Sequence, residues 1–163
     1  MLFTGHTEAT IDAKQRLAIP AKYRSLWDAA RDGTAWQCVP WPGGIIRLFT
    51  ENRFAQLAEM REQSLTPGAD EAELDADLFG LAERLETDAQ GRVRLPIAHL
   101  ELTGLLRTPA SGGSIEPVEV VVVGARNRLE IRSRSLWLDG LKERFARLPE
   151  LVDRVERASR EGA

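Results

Sequence analysis

Two nine-residue stretches of the chain share one pattern of apolar and polar positions. Asp12-Ala13-Lys14-Gln15-Arg16-Leu17-Ala18-Ile19-Pro20 is followed 76 residues later by Asp88-Ala89-Gln90-Gly91-Arg92-Val93-Arg94-Leu95-Pro96. Asp at the first and Gly at the fourth position of the second stretch fit a type I turn. Gly91 can then take positive φ, as in a hairpin closed by a bulge. Beyond the turn the side chains alternate: Leu17, Ile19, Val93 and Leu95 point inward, and Arg16, Arg92 and Arg94 point outward. Pro20 and Pro96 suit the first position of a helix, where the missing N–H costs nothing. Each copy thus predicts strand, tight turn, strand and short helix.

The surrounding pattern supports two copies. Pro20–Ala30 reads as a helix with Tyr23, Leu26 and Trp27 on one face, stopped at Asp32-Gly33. Ala35–Val39 and Ile45–Phe49 read as a hairpin around Pro42-Gly43-Gly44. Thr50 is a candidate cap for a helix from about Glu51 to Gln63, with Phe54, Leu57 and Ala58 inward. After Thr66-Pro67-Gly68, Leu74, Leu78, Leu81 and Leu85 form a helical stripe. In the second copy, Pro96–Leu102 is the short helix and Thr108–Pro117 a Gly/Ser/Pro loop. Val118–Val123 reads as a buried strand, and Arg128–Arg132 alternates with Leu129 and Ile131 inward. Ser135 is placed to cap a helix bearing Trp137, Leu141, Phe145 and Leu148. Pro149 is expected to open a last charged segment, Glu150–Arg160. Leu48 corresponds with Ile131 and Phe54 with Trp137. The whole predicts an α+β fold: two β-hairpin/helix repeats in one compact, pseudo-twofold, barrel-like unit.

These residues resemble the MraZ family of bacterial transcriptional regulators, whose repeats are related to the AbrB-type DNA-binding fold. The resemblance lies in the D-x-x-G-R-x-x-x-P pattern, met by residues 88–96 and, with Gln15 in the Gly position, by residues 12–20, and in Met1-Leu2-Phe3-Thr4-Gly5. It extends to Lys22-Tyr23-Arg24 after Pro20, and to Val120-Val121-Val122-Val123-Gly124 followed by Asn127-Arg128-Leu129-Glu130-Ile131. Two departures mark a divergent member: Gln15 stands where the family has Gly, and Thr108–Pro117 is longer than the usual connection. A non-glycine residue in the left-handed region costs about 1–2 kcal/mol, unless the first turn has another shape. On this reading residues 1–65 form the first AbrB-like repeat and 66–82 an acidic connecting helix. Residues 83–145 form the second repeat and 146–163 a charged C-terminal helix and tail. The resemblance implies a ring-like homo-oligomer whose loops contact tandem direct repeats in promoter DNA, with repression of its own division and cell-wall operon as the usual effect.

Charge distribution bears on that implication more than net charge, which is only −3. Residues 51–88 hold eleven acidic and three basic side chains, net −8, so the rest of the chain is net +5. Residues 12–24 carry Lys14, Arg16, Lys22 and Arg24 against Asp12 alone. The pattern fits an anion-binding face on an acidic body, or an ordinary solvated surface. An arginine beside a turn presents a planar donor fork to guanine O6 and N7. Lys14 and, more weakly, Arg94 would add phosphate attraction, and Arg24 is a further candidate DNA-binding residue. Gln90 is placed either to read a base or to fill the turn. Arg16 and Arg92 can also brace their turns by pairing with Asp12 and Asp88, and the two roles are compatible.

The other function classes find less support. His6 and His99 have no metal-ligand spacing, and the one cysteine, Cys38, excludes an intrachain disulfide or a multi-cysteine zinc site. Cys38 reads as a buried small residue and His99 as a packed or surface histidine rather than a catalyst. Asp12 and Asp88 each open a turn, where Asp accepts backbone N–H bonds, rather than forming a catalytic pair. Neither a catalytic residue nor a metal or other cofactor is expected. No apolar run approaches a membrane span, no secretory signal is visible, and a cytoplasmic, nucleoid-associated location is expected. The alternative function is an oligomeric protein-binding scaffold or antitoxin-like module on the same fold; a small barrel enzyme ranks third.

Overall fold

A computed structural model describes residues 1–60, 65–108 and 112–161. Its strands are β1 (His6–Ile11), β2 (Arg16–Ala18), β3 (Ala35–Trp41), β4 (Ile45–Thr50), β5 (Glu83–Glu86), β6 (Arg92–Arg94), β7 (Val118–Gly124) and β8 (Leu129–Ser133). The helices are α1 (Ala21–Arg24), α2 (Ala29–Asp32), α3 (Glu51–Glu59), α4 (Ala69–Gly80), α5 (Ile97–Leu102), α6 (Arg134–Asp139) and α7 (Leu141–Glu161). The strands form one antiparallel sheet in the order β5-β3-β4-β8-β7-β1-β2-β6. Its two edge strands are consecutive in the chain and joined by the Asp88 turn, so the sheet curls into a nearly closed barrel. The fold is α+β and barrel-like, as the alternation predicted.

Strand exchange ties the two copies together. β1 pairs with β7 of the other copy, and β5 pairs with β3. On the pseudo-twofold axis β2 pairs with β6, and β4 pairs with β8 in a register that sets Ile46 against Ile131 and Leu48 against Leu129. Neither copy buries its first strand without the other. The interior is apolar and close-packed, with Leu17, Val93, Ile46, Leu48, Val120, Val122, Leu129 and Ile131 fully buried. Phe3 packs edge-on against Tyr23, with ring centroids 5.7 Å apart, and also meets Trp36.

A second symmetry mark lies behind the short helices. The Tyr23 hydroxyl donates to the Gly5 carbonyl at 2.9 Å. At the equivalent position, 76 residues on, stands His99, whose Nδ1 lies 3.3 Å from Cys38 Sγ. Cys38 is buried, as expected, and of the two places open to His99 the structure gives the packed one.

Several expected elements differ. The helix expected over Pro20–Ala30 is two short turns, α1 and α2, separated where Asp28 caps α2 by accepting from Ala30 and Arg31 N–H. Pro20 and Pro96 occupy the cap positions with extended ψ rather than the first helical turn, each two residues past the end of its strand. Thr50 and Ser133 hold the cap positions of α3 and α6 without a side-chain cap bond, and Ser135 lies inside α6 rather than capping it. Leu85 leaves the leucine stripe: α4 stops at Gly80, and pairing with β3 draws Leu85 into the core. Pro149 lies inside the continuous α7 rather than opening a segment. Of the helix expected to Gln63, residues 61–63 lie outside the described residues, as do 109–111 of the Thr108–Pro117 loop.

Candidate nucleic-acid interface

The two Asp turns meet at the β2–β6 pair. Its register is Arg16 with Arg94, Leu17 with Val93 and Ala18 with Arg92. Period-two alternation buries Leu17 and Val93 completely and leaves Arg16, Ala18, Arg92 and Arg94 on the outer face. Residues 76 positions apart therefore become neighbours on one surface. Lys14 stands beside them at the first turn, and Arg24 reaches over the second.

Each turn is closed in the same way. Gln15 N–H donates to Asp12 C=O and Gly91 N–H to Asp88 C=O, both at 2.9 Å. Asp12 N–H donates to Arg16 C=O at 2.9 Å, and Asp88 N–H to Arg92 C=O at 2.8 Å. The fourth residue of each turn has positive φ, 59° at Gln15 and 76° at Gly91. Gln15 thus adopts the left-handed shape without being glycine. That conformation turns its carbonyl across the axis to accept from Leu95 N–H at 2.8 Å, while Gly91 C=O accepts from Ile19 N–H at 3.0 Å. The Gln15 side chain donates to Ala13 C=O at 3.0 Å and faces Arg94 at 3.4 Å.

The aspartates do two jobs at once. One oxygen of Asp12 accepts from Lys14 and Arg16 N–H, and the other accepts from Arg16 Nε at 2.8 Å. Asp88 repeats this with Gln90 N–H, Arg92 N–H and Arg92 Nε. Burial tends to raise the Asp12 pKa, but the Arg16 and Lys14 bonds outweigh it and hold the carboxyl below its ordinary range. At Asp88 the Arg92 N–H is the main cause of a similar lowering. The bracing expected of these pairs is therefore present.

Bracing leaves recognition capacity. Asp12 holds Arg16 at Nε, and among the described residues nothing bonds its Nη atoms. Arg92 is more tightly held, since its Nη2 also reaches Asp88 at 2.8 Å and the Gln90 side-chain oxygen at 3.0 Å. Lys14, Arg24 and Arg94 have no ion pair among the described residues. The face thus carries five cations against two carboxylates, with two of the arginines fixed in direction.

One charged group escaped the sequence reading. Glu130 on β8 is buried and accepts from Arg128 at 2.8 Å and Arg132 at 2.6 Å, with Arg47 at 3.6 Å. Burial pushes its pKa up, but the arginines more than reverse this. The i−2 and i+2 arginines flanking Glu130 were the available signal. Cys38 and His99 are the one thiol and imidazole in contact, yet burial drives the thiol pKa strongly upward and that of His99 downward. Both stay neutral, the reverse of an activated nucleophile. Among the described residues no His/Cys/Asp/Glu group could hold a metal, and no helix is long and apolar enough to cross a membrane.

Comparison with known proteins points the same way. Transcriptional regulator MraZ of Legionella pneumophila is 29% identical over 136 residues, 83% of this chain and 82% of that protein. The Coxiella burnetii protein of the same name is 26% identical over 136 residues. That of Photorhabdus laumondii is 23% identical over 145 residues, covering 89% of this chain and 88% of that protein. The chain is similar, at 23–29% identity over most of its length, to proteins named transcriptional regulator MraZ. No family model matches it. The similarity spans most of the chain, as do the repeat motifs that carried the resemblance.

Proposed function

We propose that this protein is a cytoplasmic, nucleoid-associated, sequence-specific DNA-binding regulator of transcription. It reads tandem direct repeats in promoter DNA as a ring-like homo-oligomer, and its effect is repression of its own division and cell-wall operon. The observation that carries this reading is the pair of Asp-braced arginines, Arg16 and Arg92, on one exposed face. A brace at Nε removes rotamer freedom before binding, so less entropy is lost when the guanidinium meets a base. Arg16 offers its free Nη edge to guanine O6 and N7. Arg92 reads through the same edge once Gln90 yields its place, and Gln90 then turns its amide to the neighbouring base. Lys14, Arg24 and Arg94 draw phosphates and set the salt dependence. One such face makes few contacts, and several faces on linked sites multiply affinity.

The test is binding to this organism's own upstream promoter across a salt series, with wild type and an Arg16→Ala/Arg92→Ala variant. Tight, sequence-dependent binding should be lost in a variant that remains folded and assembled. Wild-type protein that ignores this DNA at low salt would overturn the reading and leave the protein-binding scaffold in its place.

A further inference from the structure

Helix α7 is 21 residues long, and every residue from Phe145 to Arg160 is exposed. Its root is fixed: the Arg144 guanidinium lies 4.0 Å over the Trp137 ring and donates to the Trp137 carbonyl. Beyond that root Leu141, Phe145, Leu148, Val152 and Val155 recur at alternating intervals of four and three, the a/d seam of a coiled coil, and all are exposed. The opposite face carries ion pairs within the helix, Arg147 with Glu143 at 3.5 Å and Arg154 with Glu150 at 4.0 Å. Pro149 removes a hydrogen bond in mid-helix, so an isolated helix of this sequence would be weak in water. The seam needs a partner.

We propose that the partner is the α7 helix of a second copy of this chain, docked antiparallel. With Phe145 and Val152 at a, Lys142 and Glu156 fall at e positions. In an antiparallel pair e faces e, and the register that sets Phe145 against Val155 and Leu148 against Val152 of the second copy also sets Lys142 against its Glu156. Twofold symmetry makes that ion pair twice and brings the two Leu151 side chains together near the axis. A one-heptad slip in either direction matches a charge with Pro149 instead. A parallel pair sets Arg144 against Pro149 and Leu151 against Glu156, with no complementary charges. Charge and the apolar seam therefore select one orientation and one register. This deepens the oligomer part of the functional reading; assembly is measured without DNA, so it can fail while promoter binding stands.

The experiment is the mass of the full-length protein by sedimentation, with site-specific crosslinking. Leu148→Glu should remove one pairing step and halve the assembled mass while the fold is kept. Lys142→Glu should weaken the pairing at least tenfold, and Lys142→Glu/Glu156→Lys should restore it. On oxidation Leu151→Cys should give a disulfide-linked dimer and Phe145→Cys should not. Crosslinking through Phe145→Cys would overturn the antiparallel arrangement. Unchanged mass in Leu148→Glu, or a mass loss without a Leu151→Cys crosslink, would show that this seam does not pair with itself.

Discussion

Gly91 is the sharpest test of how the second turn is built. It has φ 76°, its N–H closes the turn on Asp88, and its carbonyl accepts from Ile19 across the axis. Alanine there must hold the left-handed conformation, at about 1–2 kcal/mol. Its Cβ would also lie 2.2 Å from Arg24 Nη1 and 2.8 Å from Arg24 Cδ. Arg24 is exposed, so it can swing away at little cost, and the backbone conformation dominates. For a chain of this size the loss corresponds to a fall in Tm of roughly 2–8 °C, read by calorimetry or reversible urea unfolding. Gly91→Asn separates the two causes, because asparagine carries the same Cβ but tolerates positive φ. It should lose clearly less than Gly91→Ala. An equal loss in the two variants would refute the backbone account, and an unchanged Tm in Gly91→Ala would refute the strain altogether.

Glu130→Ala leaves Arg47, Arg128 and Arg132 clustered without their anion; with each arginine still 21–32% exposed, the loss is about 2–3 kcal/mol, below the range for fully buried pairs, measured by urea unfolding. Asp12, Asp32 and Glu130 all have lowered carboxyl pKa values, so their stabilisation is present above the unfolded range near 4 and is lost as pH falls through the folded values. Acid unfolding curves should show this, with a shallower acid limb in Glu130→Gln once its lower neutral stability is allowed for. Gln15→Ala should be less stable than Gln15→Gly, since it keeps the left-handed cost while losing the bond to Ala13; the reverse order in thermal melts would contradict the turn geometry. Lys14→Ala should lower the slope of log affinity against log salt by about one in DNA titrations, with sequence preference retained.

What the sequence by itself determined here was local. Asp-x-x-Gly fixes a turn because Asp accepts the N–H groups two and four residues on and Gly takes positive φ. Alternation fixes which of Leu17, Val93, Arg16 and Arg92 enters the barrel. Both rules act within a few residues, so they could be read directly, as could the buried Val118–Val123 run and the repeat that carried the family resemblance. The tertiary structure decided whatever depends on partners distant in the chain. Gln15 holds φ 59° because its carbonyl meets Leu95, 80 residues away. Leu85 follows β3 rather than its own helical spacing, since sheet pairing and core burial outweigh a weak local preference. Glu130 is buried because Arg47, from the other copy, lies on the adjacent strand and joins Arg128 and Arg132 around it. The basic face exists only because strand exchange sets β2 beside β6, bringing together two motifs that the chain itself holds 76 residues apart.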